Sequence, residues 1–395
     1  MKKIIVLLLA AVLLAVSASA GAEYKHYRLV TGDATYAFNW RIYALDAHNT
    51  VVSTWSDNGR PWHVTWYRDG EKFRDLTWLI DEPYLEHSVV PEPVLWDGEN
   101  LTVAYNARKG AYKSIISDDG LVSPDPDNYE SHLADWTEKG LEETDRLQEG
   151  WMSLEKFGRI LACRDENGWR ILNGGEELSL PESFRTLPKG RVVSLDCDPY
   201  GEDSCLLSYL DYKEEFRDRH FHVIGSDHGE ARYDVTLADE DSWDIMPDGR
   251  GGFLIRNGWA TGDYQPVQLT HYDADGEPDR KLELSGEKVV ISVGPSLIDG
   301  NGRLVMYGTA MASSRKVYTV FRMTLDDGLN MQELDVRKID PVYDAYGATV
   351  YLAQDDTAYV MIYKTENKKG RLRPVLMPFE LLDKSKDDHG LTLKQ

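Results

Sequence analysis

From Met246 to Asn257 the chain reads MPDGRGGFLIRN, and from Leu297 to Gly308 it reads LIDGNGRLVMYG. In both copies an Asp-Gly turn sits between short alternating apolar runs, the pattern of a half-buried strand entering and leaving a tight hairpin. Related turns stand in the same setting at DAHN (ending Asn49), LWDG (Gly98), EKFG (Gly158), DPYG (Gly201) and DAYG (Gly347). Their end positions are spaced 43 to 60 residues apart. A recurrence near fifty is the signature of a repeat architecture.

Each of these turns is followed by a second one, at Gly70, Gly120, Gly174, Gly229, Gly276, Gly328 and Gly370. Two alternating runs lie between the paired turns, as in FLIRNGW then PVQLTHY, and a further run follows the second turn. Each unit therefore predicts four antiparallel strands, A to D, and hairpins this short bury their faces only by stacking on their neighbours. Seven units predict an all-β chain folded as a seven-bladed β-propeller of four-stranded blades.

The stretch DGRGGFLIRNGW...VQLTHYDADGE, Asp248 to Glu277, resembles secreted bacterial β-propeller proteins whose blades carry a DGxGG turn and later a DADG turn. The next blade matches less well, with Arg303 in place of the second glycine of the pair, and the others only loosely. The resemblance implies the fold and binding at one face, and no single activity. The propeller is expected over residues 23–383, with an extra strand at Tyr27 to Thr31 completing the last blade and a flexible charged tail over 384–395. Residues 123–150 read as a small helical insert after blade two, on the spacing of Leu133, Trp136, Leu141 and Leu147 among acidic residues.

Residues 1–20 read as a cleavable signal peptide, with Lys2 and Lys3, an apolar run from Ile4 to Val16, and small residues at Ala18-Ser19-Ala20. The expected location is secreted or periplasmic, with no membrane span and the protein a monomer. Removing Lys2 and Lys3 takes the formal charge from −23 to −25, which repels phosphate backbones and excludes nucleic acid as a partner. Cys197 and Cys205 flank a hairpin loop and are candidates for a disulfide; Cys163 is then left as a buried thiol.

The A to B and C to D turns share one end of each blade, and the B to C loops, more variable in sequence, share the other. Five of the seven B to C loops carry Arg or Lys in a chain with 67 acids and 44 bases. Candidate ligand residues there are Trp55, Arg60, Trp62, Arg108, Arg164, Trp169, Arg217, Arg219, Trp259 and Arg315. Arginine forks suit carboxylate or sulfate, and indoles suit sugar rings or a partner's side chains.

No catalytic motif of the nucleophile-elbow, zincin or phosphate-loop type occurs, and no cofactor is implied. WSDNGRPW, Trp55 to Trp62, has part of a sialidase Asp-box but reads better as a hairpin turn. Asp273 to Asp279 has oxygens at calcium-like spacing without the terminal glutamate, and His220 with His222 lacks a third zinc ligand, so no metal is expected. Asp46, Glu155, Asp196, Asp244 and Asp344, near strand A, either face a central channel or accept hydrogen bonds from nearby backbone. The resulting expectation is a non-catalytic propeller holding an acidic glycan or extracellular protein at the B to C face. The alternatives are a propeller glycoside hydrolase or lyase acting on acidic polysaccharide, and an envelope assembly scaffold.

Overall fold

The computed structural model describes residues 27–28, 40–55, 62–69, 71–78, 91–108, 114–116, 122–124, 129–147, 151–153, 160–165, 167–173, 176–187, 192–201, 203–213, 218–237, 245–257, 264–312, 317–340, 345–353, 355–365 and 372–395. They form a seven-bladed β-propeller. A short strand, β1 (Tyr27–Arg28), precedes blade one, which consists of β2 (Trp40–Ala44), β3 (Asn49–Trp55), β4 (Trp62–Arg68) and β5 (Glu71–Trp78). Blade two holds β6 (Glu92–Trp96) and β7 (Leu101–Arg108), then a separate hairpin, β8 (Ser114–Ile116) with β9 (Val122–Pro124), and then β10 (Tyr129–Thr137) and β11 (Gly140–Leu147). Blade three comprises β12 (Trp151–Ser153), β13 (Ile160–Asp165), β14 (Gly168–Asn173) and β15 (Glu176–Glu177), followed by the short helix α1 (Glu182–Arg185). Blade four comprises β16 (Val192–Gly201), β17 (Ser204–Lys213), β18 (Asp218–Asp227) and β19 (Glu230–Leu237). Blade five comprises β20 (Ile245–Pro247), β21 (Phe253–Asn257), β22 (Val267–Tyr272) and β23 (Pro278–Ser285). Blade six comprises β24 (Val289–Ile298), β25 (Leu304–Ala312), β26 (Val317–Leu325) and β27 (Met331–Lys338). Blade seven has β28 (Ala345–Leu352), β29 (Ala358–Thr365) and β30 (Leu372–Pro378), and β31 (Thr392–Lys394) ends the chain.

Burial of both faces of each blade closes the ring. Seven apolar clusters each draw on two consecutive blades, from Trp66 with Trp136 between blades one and two, through Leu282 with Phe321 between five and six, to Ala44 with Tyr359 between seven and one. At the closure, Tyr359 also donates its hydroxyl to the Asp46 carbonyl at 2.6 Å. β1 supplies the fourth strand of blade seven, Tyr27 opposite Leu376 and Arg28 opposite Val375, so the two ends of the propeller share one sheet.

The echoed turns have a common construction. Asp46, Asp97, Asp248 and Asp299 each follow strand A and accept backbone N–H groups of the next few residues on Oδ1 at 2.6–2.9 Å. Their Oδ2 atoms take a side chain that differs from blade to blade: Asn49 and Trp96 for Asp46, Asn100 for Asp97, His271 for Asp248, Arg303 for Asp299. Asp273 and Asp326 build the C to D turns of blades five and six the same way. A side chain that bonds its own backbone two to four residues on makes the turn without help from tertiary contacts, which is why the phrase repeats.

Four expectations need correction. The expected helical insert at 123–150 is strand: most of it is β10 and β11. Leu133 packs toward blade three and Trp136 toward blade one, because an interior blade is buried on both faces and loses the period of two. The long spacing comes from the β8–β9 hairpin, whose turn holds the Gly120 signal, while the C to D turn of blade two is at Glu138 and Lys139. In blade seven, Gly347 lies inside β28 and the A to B turn is Ala353 to Thr357, where Asp356 takes the positive φ of 63° that glycine supplies in blades two, five and six. The tail does not fray. It crosses β27, with Ser385 donating to the Val336 carbonyl, and adds β31 to the outer edge of β23, burying Leu391. Finally, Cys197 and Cys205 are free thiols, as is Cys163, and all three are buried. Cys197 stands opposite Leu207 and Cys205 opposite Pro199, so the pair is diagonal across the hairpin; contact with the Cys205 thiol, then burial, raises the Cys197 pKa.

Candidate functional site

The B to C end of blade one is the most aromatic row the strand register creates. Trp55 on β3 stands opposite Trp62 on β4, and Trp62 opposite Trp78 on β5. Trp40 on β2 stands opposite Thr54, one position along. Two of these indoles were singled out from sequence; Trp78 was missed, because it joins the row only through the pairing of β4 with β5.

The other candidates separate into groups. Arg60, Arg217, Trp259 and Arg315 lie outside the described residues. The backbone places Arg108 opposite Tyr129 and Arg219 opposite Tyr212, at the B to C ends of blades two and four. Arg164 and Trp169 are corrected: both donate to the Leu187 carbonyl, at 3.2 and 3.0 Å, and Trp169 is buried at 3% exposure against Phe184. They fasten α1 to blade three. A buried indole offers no sugar platform.

Across from blade one, the facing wall of blade two carries Tyr105 stacked on His132, with ring centroids 5.2 Å apart and planes at 9°. His132 lies 3.2 Å from the Glu143 carboxylate. Blade four repeats the device with Tyr209 on His222, 5.2 Å and 10°, and Asp234 at 3.0 Å. Both imidazoles are largely enclosed between a tyrosine ring and a carboxylate on the next strand, and so fix the sheet. His222 Nδ1 is directed at Asp234 on the next strand; among the described residues no group of three or more His, Cys, Asp or Glu is placed to hold a metal. Asp273 accepts the N–H groups of Asp275 and Glu277, which makes the DADGE stretch a plain turn.

At the opposite end, the A to B turns of blades seven, one and two surround a cleft of about 820 Å³, lined by Asp355, Asp46, His48, Trp96, Asp97 and Asn100 among others. Three turns so distant in the chain give no joint signal in sequence. The carboxylates of Asp46 and Asp97 are committed to their own turns, and the backbone N–H and side chain of Asn100, ahead of a small burial effect, hold Asp97 below the usual carboxylate range. Of the acids near strand A, Asp46 thus accepts hydrogen bonds and Asp196 accepts its neighbour Cys197 N–H at 2.8 Å; Glu155, Asp244 and Asp344 lie outside the described residues.

No family model matches the sequence, and no curated protein is similar to it. Among solved structures, the chain is similar in form to the endo-arabinase from Bacteroides thetaiotaomicron VPI-5482, at 9% identity and a TM-score of 0.31, covering 88% of this chain and 95% of that one. It is similar to the α-L-arabinofuranosidase Arb93A from Fusarium graminearum, solved with an iminosugar inhibitor, at 10% identity and 0.40, covering 91% and 99%. It is also similar to the polysaccharide lyase Uly1, at 10% and 0.37, covering 90% and 92%.

Proposed function

We propose that the protein is an exported β-propeller that binds a glycan at the B to C end of blade one and performs no chemistry on it. The observation that carries this reading is the row Trp55–Trp62–Trp78. Residues directly opposite in antiparallel strands share a face with Cβ atoms about 5 Å apart. Three tryptophans on one such row set their Cβ atoms on one face of the sheet, and stacking on flat rings is how apolar sugar faces are held. Arg60, in the loop that joins the first two of them, adds a donor for hydroxyl or carboxylate oxygens.

The test is an oligosaccharide array with the chain from Ala22, repeated with Trp62→Ala, the centre of the row. The expected result is retention of at least one glycan and a loss of about tenfold, ~1.4 kcal/mol, in the variant, with unchanged thermal unfolding. An array without hits, or hits indifferent to Trp62→Ala, overturns the reading. Release of shortened sugar from a retained glycan would replace binding by hydrolysis or elimination.

A further inference from the structure

In so acidic a chain, an arginine finds a carboxylate easily. Arg170 is bound to Glu177, Arg250 to Asp327, Arg303 to Asp299, and Arg337 to Asp335 and Glu380. Arg68 and Arg74, near the C to D end of blade one, are different. Arg68 donates Nε to the Asn49 side-chain oxygen at 3.2 Å, and Arg74 donates to the Trp136 carbonyl. Among the described residues neither makes an ion pair.

The two also stand together. The Arg68 guanidinium carbon is 3.9 Å from the centre of the Phe73 ring and that of Arg74 is 4.8 Å from it; the same two groups lie 5.4 and 5.1 Å from Trp66. Sharing one ring, the two cations are at most about 9 Å apart, roughly one Debye length at physiological salt, so each feels the other. Burial first, and then the charge of Arg68 acting against the attraction of Glu138, pull the Arg74 pKa down. Cation–π contact with Phe73 and Trp66 holds both groups in place without neutralising them. Phe73 is itself 40% exposed, one of few large apolar side chains so open among the described residues. Two oriented guanidiniums with no direct carboxylate partner, Glu138 acting on Arg74 only through its field, are complementary beside an open edge strand to carboxylate or sulfate.

What brings the anion is set by the rest of blade one. Trp78 lies four residues beyond Arg74 on the same strand, about 13 Å at strand rise. A polymer bearing both rings and acidic groups spans that distance. We infer that Arg68 and Arg74 form an anion-binding patch on the outer edge of blade one, which takes the carboxylate or sulfate groups of an acidic polysaccharide whose sugar rings lie on the Trp55–Trp62–Trp78 row. The choice of polysaccharide rests on the glycan reading above; the anion contact rests on the arginine pair.

Calorimetric titration of the full mature chain with a uronic-acid oligosaccharide, a sulfated one, a neutral one of equal length, and oligoglutamate tests both parts. The expected result is binding of an acidic sugar at least tenfold tighter than the neutral one, a preference that shrinks with added salt. Arg68→Gln together with Arg74→Gln removes the preference and leaves neutral binding as it was. Arg68→Gln alone, which gives up the Asn49 hydrogen bond and the ring contacts of Arg68 but leaves the Arg74 anchor to blade two, reduces it several-fold and guards against misfolding of the double variant. Trp62→Ala weakens acidic and neutral sugars alike. Equal affinity for acidic and neutral sugars in the parent, or a preference that survives the double substitution, overturns the patch. Oligoglutamate binding lost in the double variant, with no sugar bound at all, overturns the polysaccharide and makes the occupant an acidic peptide.

Discussion

The interface between blades five and six and the interface between blades one and two are built on the same aspartate turns and end differently. The first is aliphatic, around Leu254, Leu269, Leu282, Val293 and Met323, and the chain's own C-terminus seals it with Leu391 and Leu393. The second is aromatic, with Trp66 at its centre, its ring edge-on to Trp96 at 5.4 Å and tilted against Trp136 at 6.1 Å. No described segment covers its outer margin, and there the exposed Phe73 and the unneutralised Arg68 and Arg74 lie. A repeat fold needs every interface packed but only some margins covered. The difference sets the proposed recognition edge on blade one against structural closure on blade five.

The sharpest way to break the comparison is to empty each core in turn. Trp66 is fully buried, donates Nε1 to Asn49 and underlies both guanidiniums, so Trp66→Ala removes packing, a hydrogen bond and the seat of the arginine pair together. Its expected cost is about 3–5 kcal/mol, against about 2–4 for Leu282→Ala in the aliphatic interface. Denaturant unfolding checks the order. Equal losses would mean that the aromatic interface carries no load beyond its area. The smaller variant should also leave acidic-sugar binding untouched, since Leu282 lies on blade five, three blades around the ring.

Removing residues 384–395 comes next in size. Leu391 is buried and β31 caps the β23 edge, so the truncated chain is expected to lose roughly 2–3 kcal/mol from the apolar burial and to expose an unpaired strand. A lowered melting temperature with concentration-dependent association by sedimentation is the expected result. An unchanged melting temperature would show that the seal is dispensable, and blade five would then resemble blade one in leaving its margin open.

This contrast also shows what the sequence could and could not display. The Asp-Gly turns were legible because an aspartate and a glycine suffice to build them locally; blade seven escaped because Asp356 adopts the left-handed conformation in glycine's place. Strand β10 looked helical because both its faces are buried, and the tail looked free because three residues of β31 carry no visible period. Of the site, Trp55 and Trp62 could be named from their loop, but Trp78 enters through register alone. The arginine pair was invisible for a deeper reason: what distinguishes Arg68 and Arg74 is that neither makes an ion pair among the described residues, and only the folded chain decides which of its 67 acids come within pairing distance.

The smallest expected effect distinguishes the turn of blade five from that of blade one by pH. Asp248 and Asp46 hold equivalent turns, but Asp46 turns its second oxygen to Asn49 and Trp96, which do not titrate near neutrality, whereas Asp248 turns it to His271. Burial would lower the pKa of His271; hydrogen bonds and charge from Asp248, 3.2 Å from Nε2, and Asp279, 2.5 Å from Nδ1, outweigh it and raise the value above 6.5. A raised folded pKa means that the native state binds this proton more tightly than the unfolded chain does. The stabilisation is therefore complete below about pH 6.5 and declines as pH rises through the folded value. His271→Gln, which keeps a donor but no charge, should lose stability relative to the parent at pH 5.5 and much less of it at pH 9, by urea unfolding at both. The equivalent gap for Asn49→Ala in blade one should not vary over that range. A His271→Gln deficit that is constant with pH would mean that the imidazole serves only as a neutral hydrogen-bonding bridge, and the two turns would then differ in partner but not in charge.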